Sequence, residues 1–357
     1  MTHTLREGDD FQSGSFVGVR HTLLLLSPTL SNHRPLAQGR TSPPLLGSTM
    51  RGPLSLQTRS ECKHAGCMCP LRNVVVGLDG SPDSEASLTW LLARIPEDAT
   101  LHLVHAFSPA TELALAATQS DWVPRRQQAE RDLADIWAAP TDDSSAICLR
   151  DVVDDDPANA LLRKAASVDA TAIVLGAHGH RRTSKPVGRV ARKLLRESPI
   201  PVVVVRGGFD EPENPFVLAG VGYGSSSDAA AEWAAKYAAT VDLPLELMHV
   251  VSRRPVFPID SATDMLASYF GGSLPDEWAE SELEARMEEL QPDNPDVFMR
   301  TRVVRGGTIE QLSSRGVHTD LVVIGRGHAD PLTRNVLGSK TQKLLSRATG
   351  ATAIVPG

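Results

Sequence analysis

The chain has 357 residues, with 36 Lys and Arg against 43 Asp and Glu, and a formal net charge of −7. An acidic balance with no basic run beyond short doublets argues against nucleic acid as a partner, since a phosphate-binding surface carries a basic excess. Aromatic residues make up only 4% of the chain, which leaves few stacking platforms for single strands. No apolar stretch reaches the ~20 residues that span a bilayer. His21–Leu30 is short and follows Asp9 and Asp10, where a secretory signal wants only positive charge. These features predict a cytoplasmic chain with no membrane partner, long enough for two domains.

Residues 1–70 are rich in Ser, Thr, Pro, Gly and Arg and show no sustained period of 2 or 3.6. They read as a disordered N-terminal extension. The alternative is a start assigned too early, with Met50 or Met68 as the true first residue; Met68 lies just before the first strand. Cys62, Cys67 and Cys69 surround His64, but C-x4-C-x-C lacks the paired C-x2-C spacing of structural zinc sites. The cluster therefore reads as part of the tail, and no metal site is expected.

From Leu71 the chain alternates strands and helices. The apolar runs 73–78, 101–107, 147–153, 172–176 and 201–205 are short and β-branched, as strands covered on both faces are. Between them helices are expected at Ser84–Ile95, in the Glu112–Ala138 region, at Pro157–Ser167 and at Val190–Glu197. Asp83 or Ser84 serves as the first cap, and Pro157 suits a first helical turn. Cys148 is expected to be a small buried side chain. After a Gly, Pro and acidic linker at residues 208–215, the series repeats, with strands at 216–221, 245–251, 299–304, 320–324 and 351–355.

This alternation predicts an α/β fold of two tandem, doubly wound, parallel five-stranded sheets of Rossmann-like type. The domains are residues 71–207 and 216–357. In such sheets ligands bind beyond the carboxyl ends of the strands.

The two halves share wording as well as order. Val74–Gly80 (VVVGLDG) is matched by Val217–Gly224 (VLAGVGYG), and the glycine loop that opens at Gly176 is matched by one that opens at Gly325. The offset is 143 residues from Gly77 to Gly220 and 149 from Gly176 to Gly325, which marks a duplicated domain rather than a solenoid repeat. Each loop follows the fourth strand and opens a helix. Backbone amides that face inward from glycines, at a helix N-terminus, hold phosphate well.

On these residues the chain resembles a tandem universal stress protein, from Leu71 to its C-terminus. The family pattern is G-x2-G-x9-G-[S/T] after the fourth strand, with an Asp at the end of the first. The first repeat supplies Asp79, Gly176, His178, Gly179 and Gly188. Its last gap is eight residues, and Arg189 stands where Ser or Thr would be. The second supplies Gly325, Gly338 and Ser339 at the family spacing, but His328 replaces the middle glycine and Gly222 stands in place of Asp79. The resemblance implies an adenine-nucleotide fold and ATP, with Mg²⁺, as ligand. Asp79 would contact the nucleoside, and Gly176, His178, Gly179, Gly188 and Arg189 would surround the phosphates. The same role would fall to Gly325, Gly338 and Ser339 in the second repeat, where His328 brings bulk.

Each motif also has a purely structural reading. Asp79 suits a strand-to-helix turn that accepts the amide of Ser81 or Asp83. The glycines suit tight turns, and Ser339 is a good N-cap. Asp154, Asp155 and Asp156 offer three adjacent carboxylates that could bind Mg²⁺, with a solvated turn into Pro157 as the default reading. Asp79–Ser84 (DGSPDS) only faintly echoes the pyrophosphate loop of adenylating enzymes. His249 corresponds to His105, which implies a shared packing or loop role. Ser225–Ser227 do not form a G-x-S-x-G elbow, and no nucleophile, base and orienting group converge, so no catalytic residue is expected.

Three functions compete: a stress protein that responds to a nucleotide in its first repeat, a nucleotide-free scaffold with degenerate loops, and an ATP hydrolase or adenylating enzyme. The resemblance also implies that the repeats pair intramolecularly through their last strands, 201–205 against 351–355. A homodimer beyond that pairing is not readable.

Overall fold

The computed structural model describes residues 69–107, 145–179, 187–208, 212–222, 225–251, 276–327 and 338–357, with isolated positions 127, 130, 131 and 141. The extension before Cys69, most of the helix expected over Glu112–Ala138, and His328 lie outside the described residues.

In the first repeat the strands are β1 (Asn73–Gly77), β2 (Thr100–Phe107), β3 (Ile147–Asp154), β4 (Ala172–Gly176) and β5 (Val202–Val205). Helices α1 (Pro82–Leu92), α2 (Pro157–Ser167) and α3 (Arg189–Glu197) lie between them. In the second repeat the strands are β6 (Val217–Gly220), β7 (Leu245–Val251), β8 (Met299–Arg305), β9 (Leu321–Gly325) and β10 (Ala351–Val355). Its helices are α4 (Ser225–Val241), α5 (Asp276–Leu290), α6 (Thr308–Gly316) and α7 (Ser339–Arg347).

The expectation of two separate sheets is corrected. One ten-stranded mixed sheet runs β3-β2-β1-β4-β5-β10-β9-β6-β7-β8. Each half is parallel, and the halves join where β5 and β10 pair antiparallel, Val205 opposite Ala351 and Val202 opposite Ile354. The physical reason lies in these two strands: every residue of both is buried, and left unpaired they would be open apolar edges. The pairing joins the two last strands, as the resemblance implied.

Each face of the continuous sheet carries its own core. One face holds Leu88 and Leu91 of α1, Ala230, Ala231, Ala234 and Ala235 of α4, and Leu283 of α5. The small side chains of α4 let its backbone sit close to the strands. The other face holds Ala158 and Leu161 of α2, Leu194 and Leu195 of α3, Leu312 of α6 and Leu344 and Leu345 of α7. Both cores cross from one repeat into the other.

Helix starts follow local chemistry. The N-cap of α1 is Ser81 rather than Asp83 or Ser84: its Oγ accepts the Ser84 amide at 3.3 Å, and Pro82 occupies the first turn. Asp156 caps α2 ahead of Pro157 by accepting the Asn159 amide at 3.4 Å.

Coverage on both faces fails at the sheet ends. β3 and β8 are the outermost strands, and Ile147 and Leu149 are 59% and 46% exposed. Cys148 is accordingly only half-buried. Cys69 and Pro70, which the composition groups with the tail, are buried. Cys69 Sγ lies 3.4 Å from Thr240 Oγ1 of α4.

The repeats are also tied by a buried polar group. Arg94 donates to Asp320 Oδ1 through Nε at 2.8 Å and Nη2 at 2.6 Å, and Tyr237 Oη donates to Asp320 Oδ2 at 2.6 Å. Trp90 and Trp233 both stack with Tyr237, with ring centroids 6.2 and 5.6 Å away. Arg94 lies 5.1 Å from the centre of the Trp90 ring. Burial, and then the Asp320 charge, push the Tyr237 hydroxyl well above the ordinary tyrosine range.

Candidate functional site

Beyond the carboxyl end of β1 the chain turns sharply through Gly80, whose φ is +75°. Asp79 builds this turn: its Oδ1 accepts the Ser81 amide at 3.0 Å, while its own amide donates to Ser84 Oγ at 3.2 Å. Its other carboxylate oxygen, Oδ2, lies against Gly179, where a Cβ would collide with it. β1 and β4 are neighbours in the sheet. The structure therefore brings Asp79 and the first glycine loop together from opposite ends of the repeat.

Gly176 ends β4 with no room for a side chain, since a Cβ there would stand 2.5 Å from Asp83 C and 2.6 Å from the Ser84 amide nitrogen. Gly188 is different. It is the N-cap of α3 with φ −62° and ψ 171°, and its amide donates to Ala177 O at 2.7 Å. A Cβ there would meet nothing closer than 3.5 Å. Among the described residues no side chain caps α3, whose first-turn amides lie at the positive end of the helix dipole. Arg189 follows with its side chain 68% exposed, 3.9 Å from Asp156.

His178 is placed differently from the rest of the set. Its ring is buried, and its Nδ1 lies 3.2 Å from Asp83 Oδ2, which also accepts the His178 amide at 3.0 Å. Asp83 Oδ1 accepts the Gly207 amide at 2.9 Å. One buried carboxylate thus fastens α1, the glycine loop and the end of β5. Ser81 Oγ adds a bond to His178 O at 3.0 Å. This function of Asp83 was not legible in the sequence, where it reads as a helix-start acid. The signal was there only as three polar residues in the turn Ser81–Ser84.

His105 and His249 do share a role. Each donates from Nδ1 at 2.8 Å to the carbonyl just after the first strand of its repeat, Leu78 O and Val221 O. Burial lowers the His249 pKa; the bond to Val221 opposes this and Lys340 adds to it. The Asp154–Asp156 turn is engaged rather than convergent: Asp155 pairs with Arg163 and Asp156 with Lys193 at 3.3 Å. No group of three metal-type side chains converges among the described residues.

The second repeat keeps the frame without the carboxylate. The Gly222 amide donates to Ser227 Oγ at 2.9 Å, as Asp79 does to Ser84. Gly325 presses on the Ser226 backbone as Gly176 does on Asp83. Gly338 caps α7, with nothing nearer to its missing Cβ than 3.7 Å, and Ser339 opens that helix. The sequence-derived set therefore splits into two clusters, Asp79 with Gly176–Gly188 in one repeat and Gly325 with Gly338 and Ser339 in the other.

The universal stress protein family model matches residues 70–206 and again residues 216–356. The chain belongs to the universal stress protein family. A universal stress protein of Mycobacterium tuberculosis is 29% identical over 270 residues, covering 71% of this chain and 85% of that relative. A second from the same organism is 24% identical and covers 74% and 90%. Among solved structures, a universal stress protein from Archaeoglobus fulgidus superposes with a TM-score of 0.54 at 14% identity, over 80% of this chain and 96% of that one. That likeness concerns the fold. Membership brings the family's general role in the stress response, carried here by two fused family domains in one sheet.

Proposed function

We propose that the first repeat binds an adenine nucleotide, with ATP and Mg²⁺ the expected form, and that occupancy changes how the protein meets its regulatory partners. The observation that carries this reading is the contrast among the glycines. Gly176 is held by close approach to the α1 backbone and Gly179 by the Asp79 carboxylate, but among the described residues nothing lies closer than 3.5 Å to a Cβ at Gly188. An open N-cap beside an uncapped helix start is where a phosphate would approach the backbone. Asp79, with one oxygen fixed by the turn, stands across the loop to receive the nucleoside. Regulation then follows as a population shift, which requires the nucleotide to bind two states with different affinity.

The nucleotide-free scaffold is the second reading. It is favoured by the Asp79–Ser81 turn, which gives Asp79 a structural use, and by Gly222, which leaves the second repeat without that acid.

Isothermal titration of ATP with Mg²⁺ into the full chain separates the two. Binding of about one equivalent that is lost in Asp79→Ala supports the first reading. No heat from protein that unfolds cooperatively overturns it in favour of the scaffold.

A further inference from the structure

The outer flank of the first glycine loop holds a feature that neither repeat motif explains. A half-open cleft of about 390 Å³ lies between α2 and α3. Ala158 and Val190 supply apolar wall, while Arg189, Arg192, Lys193 and Arg196 supply charge against the single carboxylate of Asp156. In a chain of net charge −7, this is a local excess of the opposite sign.

The cations are unevenly used. Lys193 neutralises Asp156 at 3.3 Å and donates to Asn159 Oδ1 at 2.7 Å. Arg189 stands too far from Asp156, at 3.9 Å, for a hydrogen bond. Arg192 forms no ion pair among the described residues. Arg196 reaches Glu197 only at 3.7 Å, with its side chain 39% exposed. Arginine heads without a close carboxylate are available for charge-assisted bonds to an oxyanion in the cleft.

The second repeat serves as an internal control. There Arg189, Arg192 and Arg196 correspond to Ser339, Gln342 and Ser346, and Gly307 caps α6 in place of an acid. The arginines are therefore not demanded by the fold that both repeats share.

We infer that the α2–α3 cleft of the first repeat is an anion site for a pyrophosphate group, separate from the amides of the glycine loop. The planar forks of Arg192 and Arg196 match phosphate oxygens two at a time, and the surplus of positive charge favours a multiply charged ligand over a single carboxylate. The volume falls within the range of small-ligand sites. The pyrophosphate can come free from solution or as the tail of a nucleotide seated on the glycine loop. The site does not depend on the nucleotide reading.

The test is titration of pyrophosphate into the full chain without nucleotide. Binding weakened at least tenfold by Arg196→Gln, and likewise by Arg192→Gln, is expected. Lys343→Gln in the second repeat should leave it unchanged. Melting temperatures of the variants equal to the parent's exclude misfolding as the cause. No binding by the parent protein, or binding indifferent to both arginine substitutions, overturns the site. A second arm identifies the source. If pyrophosphate competes with ATP, and Arg192→Gln weakens ATP tenfold but AMP not at all, the tail of a nucleotide fills the cleft. If ATP and pyrophosphate bind without competition, the ligand is a separate anion. Failure of ATP to bind while pyrophosphate binds would end the nucleotide reading and leave the cleft standing.

Discussion

A methyl group added at Gly176 would stand 2.5 Å from Asp83 C, which is backbone and cannot swing away, whereas at Gly188 the nearest atom is 3.5 Å off. Two glycines of one loop therefore answer different questions. Gly176→Ala is expected to destabilise by about 3 kcal/mol through overpacking, with loss of the turn. Gly188→Ser keeps an ordinary extended N-cap, so its stability should stay within ~0.5 kcal/mol of the parent. If the amides there meet phosphate, ATP affinity should nonetheless fall about tenfold, or roughly 1.4 kcal/mol. Urea unfolding and titration on the same samples check both halves. Asp83 makes the complementary case. Asp83→Ala leaves the His178 and Gly207 amides without an acceptor, and about 3 kcal/mol of stability should go with them. The sequence could not show this, because the partners approach from 95 and 124 residues away. Capping residues announce themselves locally, but a carboxylate that joins three distant segments looks no different from one that caps.

At the level of elements, strands were legible because an apolar, β-branched run has few other ways to satisfy its backbone. Pro157–Ser167 was legible for its start signal, Asp156 before Pro157. What composition does not carry is strand order. β3 and β8 belong to the series of runs expected to be covered on both faces, yet they end the sheet, and only the crossover connections decide that. Position also explains the polar dress of β8. Arg300 and Arg302 of β8 and Arg315 of α6 converge on Glu246 of β7, at 2.7, 3.4 and 2.7 Å. Arg315 and Arg300 also lie over the Phe216 ring, 4.4 and 5.2 Å from its centre. Burial alone would raise the Glu246 pKa. The hydrogen bonds from Arg315 and the three guanidinium charges outweigh it, so the carboxyl lies below the ordinary value of 4.5. A depressed carboxylate stabilises the fold above its unfolded pKa and loses that contribution as pH falls through the folded one. Stability should therefore decline from about pH 5 towards pH 3, and Glu246→Gln should lower the neutral-pH melting temperature while flattening this acid limb. A parallel acid limb in the variant would assign the titration elsewhere.

For the whole molecule, the question is why unlike repeats pair rather than like ones. Trp90 and Trp233 are equivalent positions, but the equivalent of Arg94 is Tyr237 and the equivalent of Asp320 is Thr171. Only the pairing of first repeat with second gives the buried guanidinium a carboxylate. Arg94 and Asp320 side chains are 9% and 4% exposed. In an assembly of two first repeats, Arg94 would face threonine, and a buried unpaired charge is strongly unfavourable. The ion pair thus specifies which halves meet, while β5 on β10 and the shared cores supply the adhesion. Asp320→Ala should cost about 3–5 kcal/mol, because it strands Arg94 and removes the acceptor of Tyr237. Adding Arg94→Met should recover part of that loss, since the stranded charge is then gone as well. Because the sheet and both cores are continuous, the parent chain should unfold in urea as one transition seen identically by tryptophan fluorescence and circular dichroism. Two separated transitions would mean that the repeats fold independently, and that the Arg94–Asp320 pair aligns finished domains rather than completing a single cooperative unit.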